Sequence, residues 1–393
     1  MQDLLNAINE YGIGINSSKH AKPSPHQAAR QLVGSLVLKN RLNLLCASVV
    51  ASFMCSRDML VVVSKDTVEC ISCDGNDMRH EGSASNLSHC ELSAVVATPS
   101  KAIVASENGI CCVTPSSLMI EKNSSDFLTR EQQHRILCVA ATPDGSYFAT
   151  GGGNAVVTVW SDEMNPIHLL FGHTDWVRFV KFARGSNPAL QLFSTGDDGV
   201  IFQWDPLAGS AISRLDYTRG QSIQVFEVSF NSGLIAVACN TPFLALYRCR
   251  SDNRTKRSDD NVLLLKELGI ISGAHDTTPT VAKFTEDSQW IVSAGEDEVL
   301  AISSVAEPRK IFICRELVSK RYCTTFLGTF NCISILSAPP HSSVFVVIVC
   351  ASNGTVVQWV LDPRRSRTTY IKKLQLHLGV LISMDFIHNK IAV

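Results

Sequence analysis

An excess of charge of one sign is missing from this chain: 35 Lys and Arg stand against 36 Asp and Glu, a formal net charge of −1 over 393 residues. So even a balance gives no global field toward nucleic acid or anionic membranes, and any such contact must come from a local patch. Long apolar runs are missing too. The longest strongly apolar stretch, Val344 to Ala351, falls far short of the ~18 residues that suggest a membrane span. The opening MQDLLNAINEYGIG lacks the basic start and apolar core of a secretory leader, so the expectation is an intracellular protein, cytoplasmic and/or nuclear and not secreted. Fourteen cysteines in that setting read as reduced, buried thiols. There is no Gly-x-Ser-x-Gly elbow, no Cys–His nucleophile signature and no P-loop. The chain is therefore not expected to be an enzyme, and it requires no cofactor, no metal and no small-molecule substrate.

What is present is a repeat. Residues 172–205 read GHTDWVRFVKFARGSNPALQLFSTGDDGVIFQWD: a Gly-His opening, two short alternating apolar runs, an Asp-Asp-Gly turn and a Trp-Asp close. Residues 275–303 repeat the frame, with His275 nine positions before Phe284 as His173 is nine before Phe182. Ser293 through Ser303 overlays Ser194 through Trp204 without a gap. A hairpin-bearing repeat of about 40–45 residues is the sign of a radial propeller.

The GH…WD frame resembles the WD40 repeat family. That resemblance implies an all-β propeller in which each four-stranded blade is too small to bury its own faces and packs on its neighbours. It also implies a shared hydrogen-bond set inside the blade: His173, Ser194, Asp198 and Trp204, and again His275, Ser293 and Asp297, with Ser303 in place of the Trp. A buried partner left single would cost about 1–3 kcal/mol, so such a set works as a unit.

Weaker copies fill most of the rest. Residues 136–160 keep Thr150, Asn154 and Trp160 but carry Gln132 at the His position. Residues 225–247 end on Tyr247 with Thr241 where Asp belongs, and 344–359 close on Trp359 with Asn353 in the turn. Residues 94–113 and 59–72 show only the strand–turn–strand rhythm, and His377 opens a last half unit. Seven blades are expected, with eight the alternative if a segment such as Leu32–Leu38 completes that half unit and closes an otherwise open edge. The expected organisation is a short helix and flexible linker over 1–30 and one propeller over 31–393.

Several tempting constellations have plainer readings. Cys70-Ile-Ser-Cys73 lies in an expected strand, where positions three apart face opposite ways, so it reads as core rather than a zinc site. Gly151-Gly152-Gly153 falls at a strand-to-strand turn, without the helix N-terminus a phosphate needs. Asp198 and His173 are committed to the internal set, which leaves Asp197 exposed in the turn.

Two surfaces remain as candidates for partners. The loops between third and fourth strands are basic in three consecutive units: Arg248, Arg250, Arg254, Lys256 and Arg257; Arg309 and Lys310; Arg364, Arg365 and Arg367. They offer contact with RNA or an acidic protein. On the opposite face Trp176 and Asp197 are expected to line the rim, an exposed Trp being an interface anchor. The expected function is a non-catalytic scaffold for the proteins of a multi-subunit complex. The alternative rests on residues 192–220 preceded by GHTDWV, which resemble the corresponding blade of the non-catalytic WD40 subunit of tRNA guanine-N7 methyltransferase. That resemblance implies a role in tRNA processing beside a separate catalytic subunit. A ubiquitin-ligase receptor role is disfavoured, because Trp204-Asp205 is followed by Pro206-Leu207 rather than by a basic residue.

Overall fold

The computed structural model describes residues 135–184, 189–217, 221–249 and 265–314 throughout and, elsewhere between 49 and 392, the strands named below with a few flanking residues. The expected N-terminal helix and linker, Leu32–Leu38, Gln132, Asn353 and His377 lie outside the described residues.

Strands follow one another in chain order, each pairing antiparallel with the next. The first sheet holds β1 (Val49–Ser56), β2 (Met59–Ser64), β3 (Thr67–Asp74) and β4 (Asp77–Ser85). The second holds β5 (Leu92–Ala97), β6 (Ala102–Ser106), β7 (Gly109–Val113) and β8 (Ile120–Asn123). The third is β9 (Ile136–Ala141), β10 (Tyr147–Gly152), β11 (Val156–Ser161) and β12 (Pro166–Phe171). The fourth is β13 (Val177–Arg184), β14 (Leu190–Gly196), β15 (Val200–Asp205) and β16 (Ser210–Asp216). The fifth is β17 (Val225–Val228), β18 (Leu234–Ala238), β19 (Leu244–Cys249) and β20 (Leu265–Ile271). The sixth is β21 (Pro279–Phe284), β22 (Trp290–Gly295), β23 (Leu300–Ser304) and β24 (Ile311–Cys314). The seventh is β25 (Phe330–Ser337), β26 (Phe345–Ala351), β27 (Thr355–Asp362) and β28 (Arg367–Gln375). A hairpin of β29 (Asp385–Ile387) and β30 (Lys390–Ala392) follows.

First strands meet in sequence: β1 touches β5, β5 touches β9, and so on through β13, β17 and β21 to β25, while the hairpin β29–β30 returns to β1. This is a β-propeller. Among the described residues it shows seven four-stranded blades and one two-stranded hairpin beside the first.

The core lies between blades because each blade buries both faces. Along β14, Leu192 points toward the third blade with Phe202 and Trp204, while Phe193 points toward the fifth with Ile201. Period-two alternation puts successive side chains on opposite faces, so a strand sandwiched on both sides is largely apolar on both faces, with exceptions such as the hydrogen-bonded Ser194. In β18, LIAVA, every residue is buried. The closing aromatic packs on the preceding blade: Trp160 joins Ile103 and Ile110, and Trp359 joins Leu300 and Ile302.

A second regularity concerns the outer edges. In six of the seven four-stranded blades the fourth strand slips by one residue opposite the closing position: Ile71, Val113, Trp160, Trp204, Tyr247 and Trp359. The slip is a β-bulge, which bends the outer strand and raises its twist. The pair β23–β24 runs straight through its closing residue, and that residue is Ser303.

Candidate interaction edge and its structural network

The second-to-third turn of the fourth blade needs a left-handed residue, and Gly199 supplies it at φ 68°. Asp198 precedes it and accepts the amide of Val200 on Oδ1 at 3.1 Å and that of Thr174 on Oδ2 at 3.1 Å. The carboxylate thereby ties the turn to the loop entering β13. His173 Nδ1 lies 2.7 Å from Asp198 Oδ2, and its Nε2 lies 2.8 Å from Ser194 Oγ. Trp204 Nε1 donates to the same Ser194 Oγ at 2.8 Å. An indole only donates, so the proton direction is set: Trp204 to Ser194, Ser194 to His173 Nε2, and His173 Nδ1–H to Asp198. Burial works to raise the Asp198 pKa. The hydrogen bond and charge of His173, with the two amides, outweigh it and hold the carboxyl below its ordinary value.

The sixth blade builds the same set short of one member. His275 Nδ1 sits 3.1 Å from Asp297 Oδ2, and Nε2 sits 2.8 Å from Ser293 Oγ. Burial again opposes, and His275 and the amides of Asp276 and Val299 again prevail, lowering the Asp297 pKa. Ser303 Oγ is fully buried and has no hydrogen-bond partner among the described residues. In the third blade, Trp160 Nε1 donates to Thr150 Oγ1 at 3.0 Å. Asn154 Oδ1 accepts the amide of Val156 there, as Asp198 does for Val200.

The rim above the fourth blade carries a different kind of cluster. Trp176 is 41% exposed. The guanidinium of Arg178 lies 5.2 Å from its ring centroid, and Arg178 bonds Asp197 through Nε at 2.9 Å and Nη2 at 2.8 Å. Asp197 in turn accepts Ser222 Oγ at 2.7 Å, and its amide donates to the Trp176 carbonyl at 3.0 Å. Burial favours raising the Asp197 pKa, while Arg178 and Ser222 together bring it below the ordinary carboxylate value. Trp176 and Asp197, chosen from sequence, are thus joined by Arg178 and Ser222, which sequence reasoning passed over. Arg178 stands at the register slip between Val177 and Phe179, where a bulge re-aims a side chain out of the regular alternation. A cation two positions after an exposed Trp at a strand start was the available signal.

The glycine run beside this rim serves packing. A Cβ on Gly152 would collide with the Arg135 carbonyl, and one on Gly151 would press into Val177. No helix follows it. Cys70 and Cys73 lie in β3 as expected, but their side chains fall outside the described residues. Among the described residues no group of three His, Cys, Asp or Glu is placed to hold a metal.

The basic sector is brought together only in part. Arg248 lies within β19, paired with Lys266, rather than in the following loop. Strand β19 runs on to Cys249, one residue past it. Arg309 and Lys310 are exposed in the loop before β24, with Lys310 Nζ 5.9 Å from the Trp290 ring centroid. Arg367 opens β28, and its side chain is outside the described residues. Arg250, Arg254, Lys256, Arg257, Arg364 and Arg365 lie outside them altogether.

A family model for the WD domain, G-beta repeat, matches residues 126–161 and 164–205, which take in β9 through β15. The fold is a WD40-type β-propeller. Solved structures agree on the architecture. The computationally designed Ika8 protein superposes with a TM-score of 0.61 at 13% identity, covering 88% of this chain and 92% of that one. The structure of U3-55K gives 0.55 at 15% identity over 76% and 86%. RRP9 WD40 repeats give 0.55 at 15% over 76% and 84%. Likeness at such identity establishes the WD40 fold and nothing about partners.

Proposed function

We propose that this WD40 propeller, taken as one unit over residues 31–393, is a non-catalytic platform that holds other proteins together in an intracellular assembly. The observation that carries this reading is the fixed aromatic–cation edge of the fourth blade. Trp176 stays exposed while Arg178, anchored twice on Asp197, lies against its ring. A side chain already held in place loses little rotamer freedom on binding, so more of its contact energy reaches the complex. Exposed Trp and Arg are also the residue types that dominate interface energies.

The test is quantitative capture from cell extract with the tagged wild-type protein, Trp176→Ala and Arg178→Glu, read by mass spectrometry. Proteins of one assembly should be lost together from both variants and kept by Asp162→Asn in the exposed β11–β12 turn. An unchanged capture profile rules out this edge.

A second reading, support of a tRNA guanine-N7 methyltransferase, draws on residues 192–220 and on Arg309 and Lys310, which are exposed and without an ion pair among the described residues. It requires tRNA binding that weakens steeply with salt and falls in the Arg309→Glu, Lys310→Glu double variant. Absence of any tRNA shift at low salt ends it.

A further inference from the structure

A sheet edge offers unpaired backbone N–H and C=O groups, and natural proteins blunt such edges with bulges, charges or cover. In this propeller the device is regular: a bulge opposite the closing position of the first, second, third, fourth, fifth and seventh blades. The sixth blade lacks it. Strand β24, Ile311–Cys314 with sequence IFIC, pairs with β23 in unbroken register from Ser303↔Ile311 to Leu300↔Cys314 and ends its sheet among the described residues. Its residues are apolar rather than charged, and Ile313 is 37% exposed. Ile311 and Phe312 are half-buried.

Charge at one end of this strand selects the occupant. Arg309 and Lys310 immediately precede β24, are exposed, and form no ion pair among the described residues. Glu307 is the one acid in the same loop, which leaves it net positive. A second copy paired antiparallel would carry its own Arg309 and Lys310 to the Cys314 end and bring only Arg315 and Glu316, which have no net charge, toward these cations. A partner strand with carboxylates at its end would neutralise them.

We infer that the outer edge of β24 is a strand-addition site for an extended segment of a partner protein, apolar or β-branched along its length and acidic at its C-terminal end. Antiparallel addition places that end beside Lys310 and Arg309, and backbone hydrogen bonds supply sequence-tolerant affinity while Ile313 and the cations supply choice. Four residues of strand limit the site to one short peptide. The site is on the perimeter, apart from the Trp176 edge, so it stands whether or not that edge binds.

The experiment uses the whole chain and a fluorescein-labelled peptide, Thr-Val-Thr-Val-Thr-Val-Glu-Glu, beside a twin ending in Lys-Lys, read by fluorescence anisotropy at low salt. The glutamate peptide should bind at least about tenfold tighter than its twin. The Arg309→Glu, Lys310→Glu double variant, changed only at exposed loop positions, should reverse that preference. Ile313→Glu should weaken both peptides, and Trp176→Ala should change neither. No binding, equal binding of the two peptides, or an unreversed preference overturns the inference. So does a wild-type dimer that Ile313→Glu dissociates in sedimentation, since a second copy then holds the edge. Slow amide exchange across 312–314 before peptide is added also overturns it, because the chain then covers its own edge.

Discussion

Trp204 and His173 meet on one oxygen: Ser194 Oγ lies 2.8 Å from the indole nitrogen and 2.8 Å from the imidazole Nε2. One hydroxyl thus joins the third strand of the blade to the loop that enters it. It does so from the middle strand, where it is fully buried.

Removing that oxygen strands two groups. Ser194→Ala should cost about 2–3 kcal/mol in urea unfolding, because both a buried indole N–H and a ring nitrogen lose their partner. Ser293→Ala should cost about half as much, since Ser303 brings no indole to that oxygen and only His275 is bereft. Equal losses for the two variants would show that the relay is not acting as a unit.

Acid should weaken the protein through Asp198 and Asp297. Both carboxyls have folded pKa values lowered below the ordinary 3.8, held down by His173 or His275 and by backbone amides against the opposing effect of burial. A group whose folded pKa is depressed adds stability above its unfolded pKa and loses it as pH falls through the folded value. Urea midpoints should therefore decline as pH drops below about 4. The decline should be shallower in Asp198→Asn, which is less stable at neutral pH but has one fewer such group to protonate.

Two glycines next to Trp176 should differ sharply. A Cβ on Gly196 would collide with the Trp176 carbonyl and come within 3.0 Å of Val177 Cα, all of it backbone that has no room to move. Gly196→Ala should cost several kcal/mol, on the order of the largest single-site losses. On Gly153 the nearest atom is Trp176 Nε1 at 3.7 Å, ordinary contact. Gly153→Ala should be close to neutral, and thermal midpoints of the pair decide the matter.

The thiol of Cys138 should be inert in the folded protein. Burial pushes its pKa up to about 12, and Sγ rests 3.6 Å from the carbonyl oxygens of Gly151 and Val177. Since the thiolate is the reactive form, labelling of Cys138 by a disulfide reagent should track global unfolding in urea. Rapid labelling under native conditions would contradict the packing between the third and fourth blades.

The propeller was legible because its frame repeats. His173, Ser194, Asp198 and Trp204 carry side chains whose hydrogen bonds need fixed spacing, and the spacing survives at His275 even where the Trp is gone. The rim was half legible. Trp176 and Asp197 stand out by type and place, whereas Arg178 reaches Asp197 only through a bulge, and a register slip leaves no mark in the alternation. Ser222 arrives from the next blade, a contact that depends on the angle between sheets rather than on any local pattern. The basic sector misled at Arg248, where a third strand runs further than its apolar pattern does. The missing bulge of β24 was invisible, because it is defined by pairing between two strands and not by the composition of either.

Ser303 sets one more property of the molecule. Where the fourth blade has an indole bound to the Ser194 hydroxyl, the sixth has at that position a buried hydroxyl with no hydrogen-bond partner among the described residues. Apolar attraction weakens as water is cooled. Cooling toward freezing should therefore loosen the Ser303 corner of the sixth blade more than the Trp204 corner of the fourth, while His275, Ser293 and Asp297 stay joined.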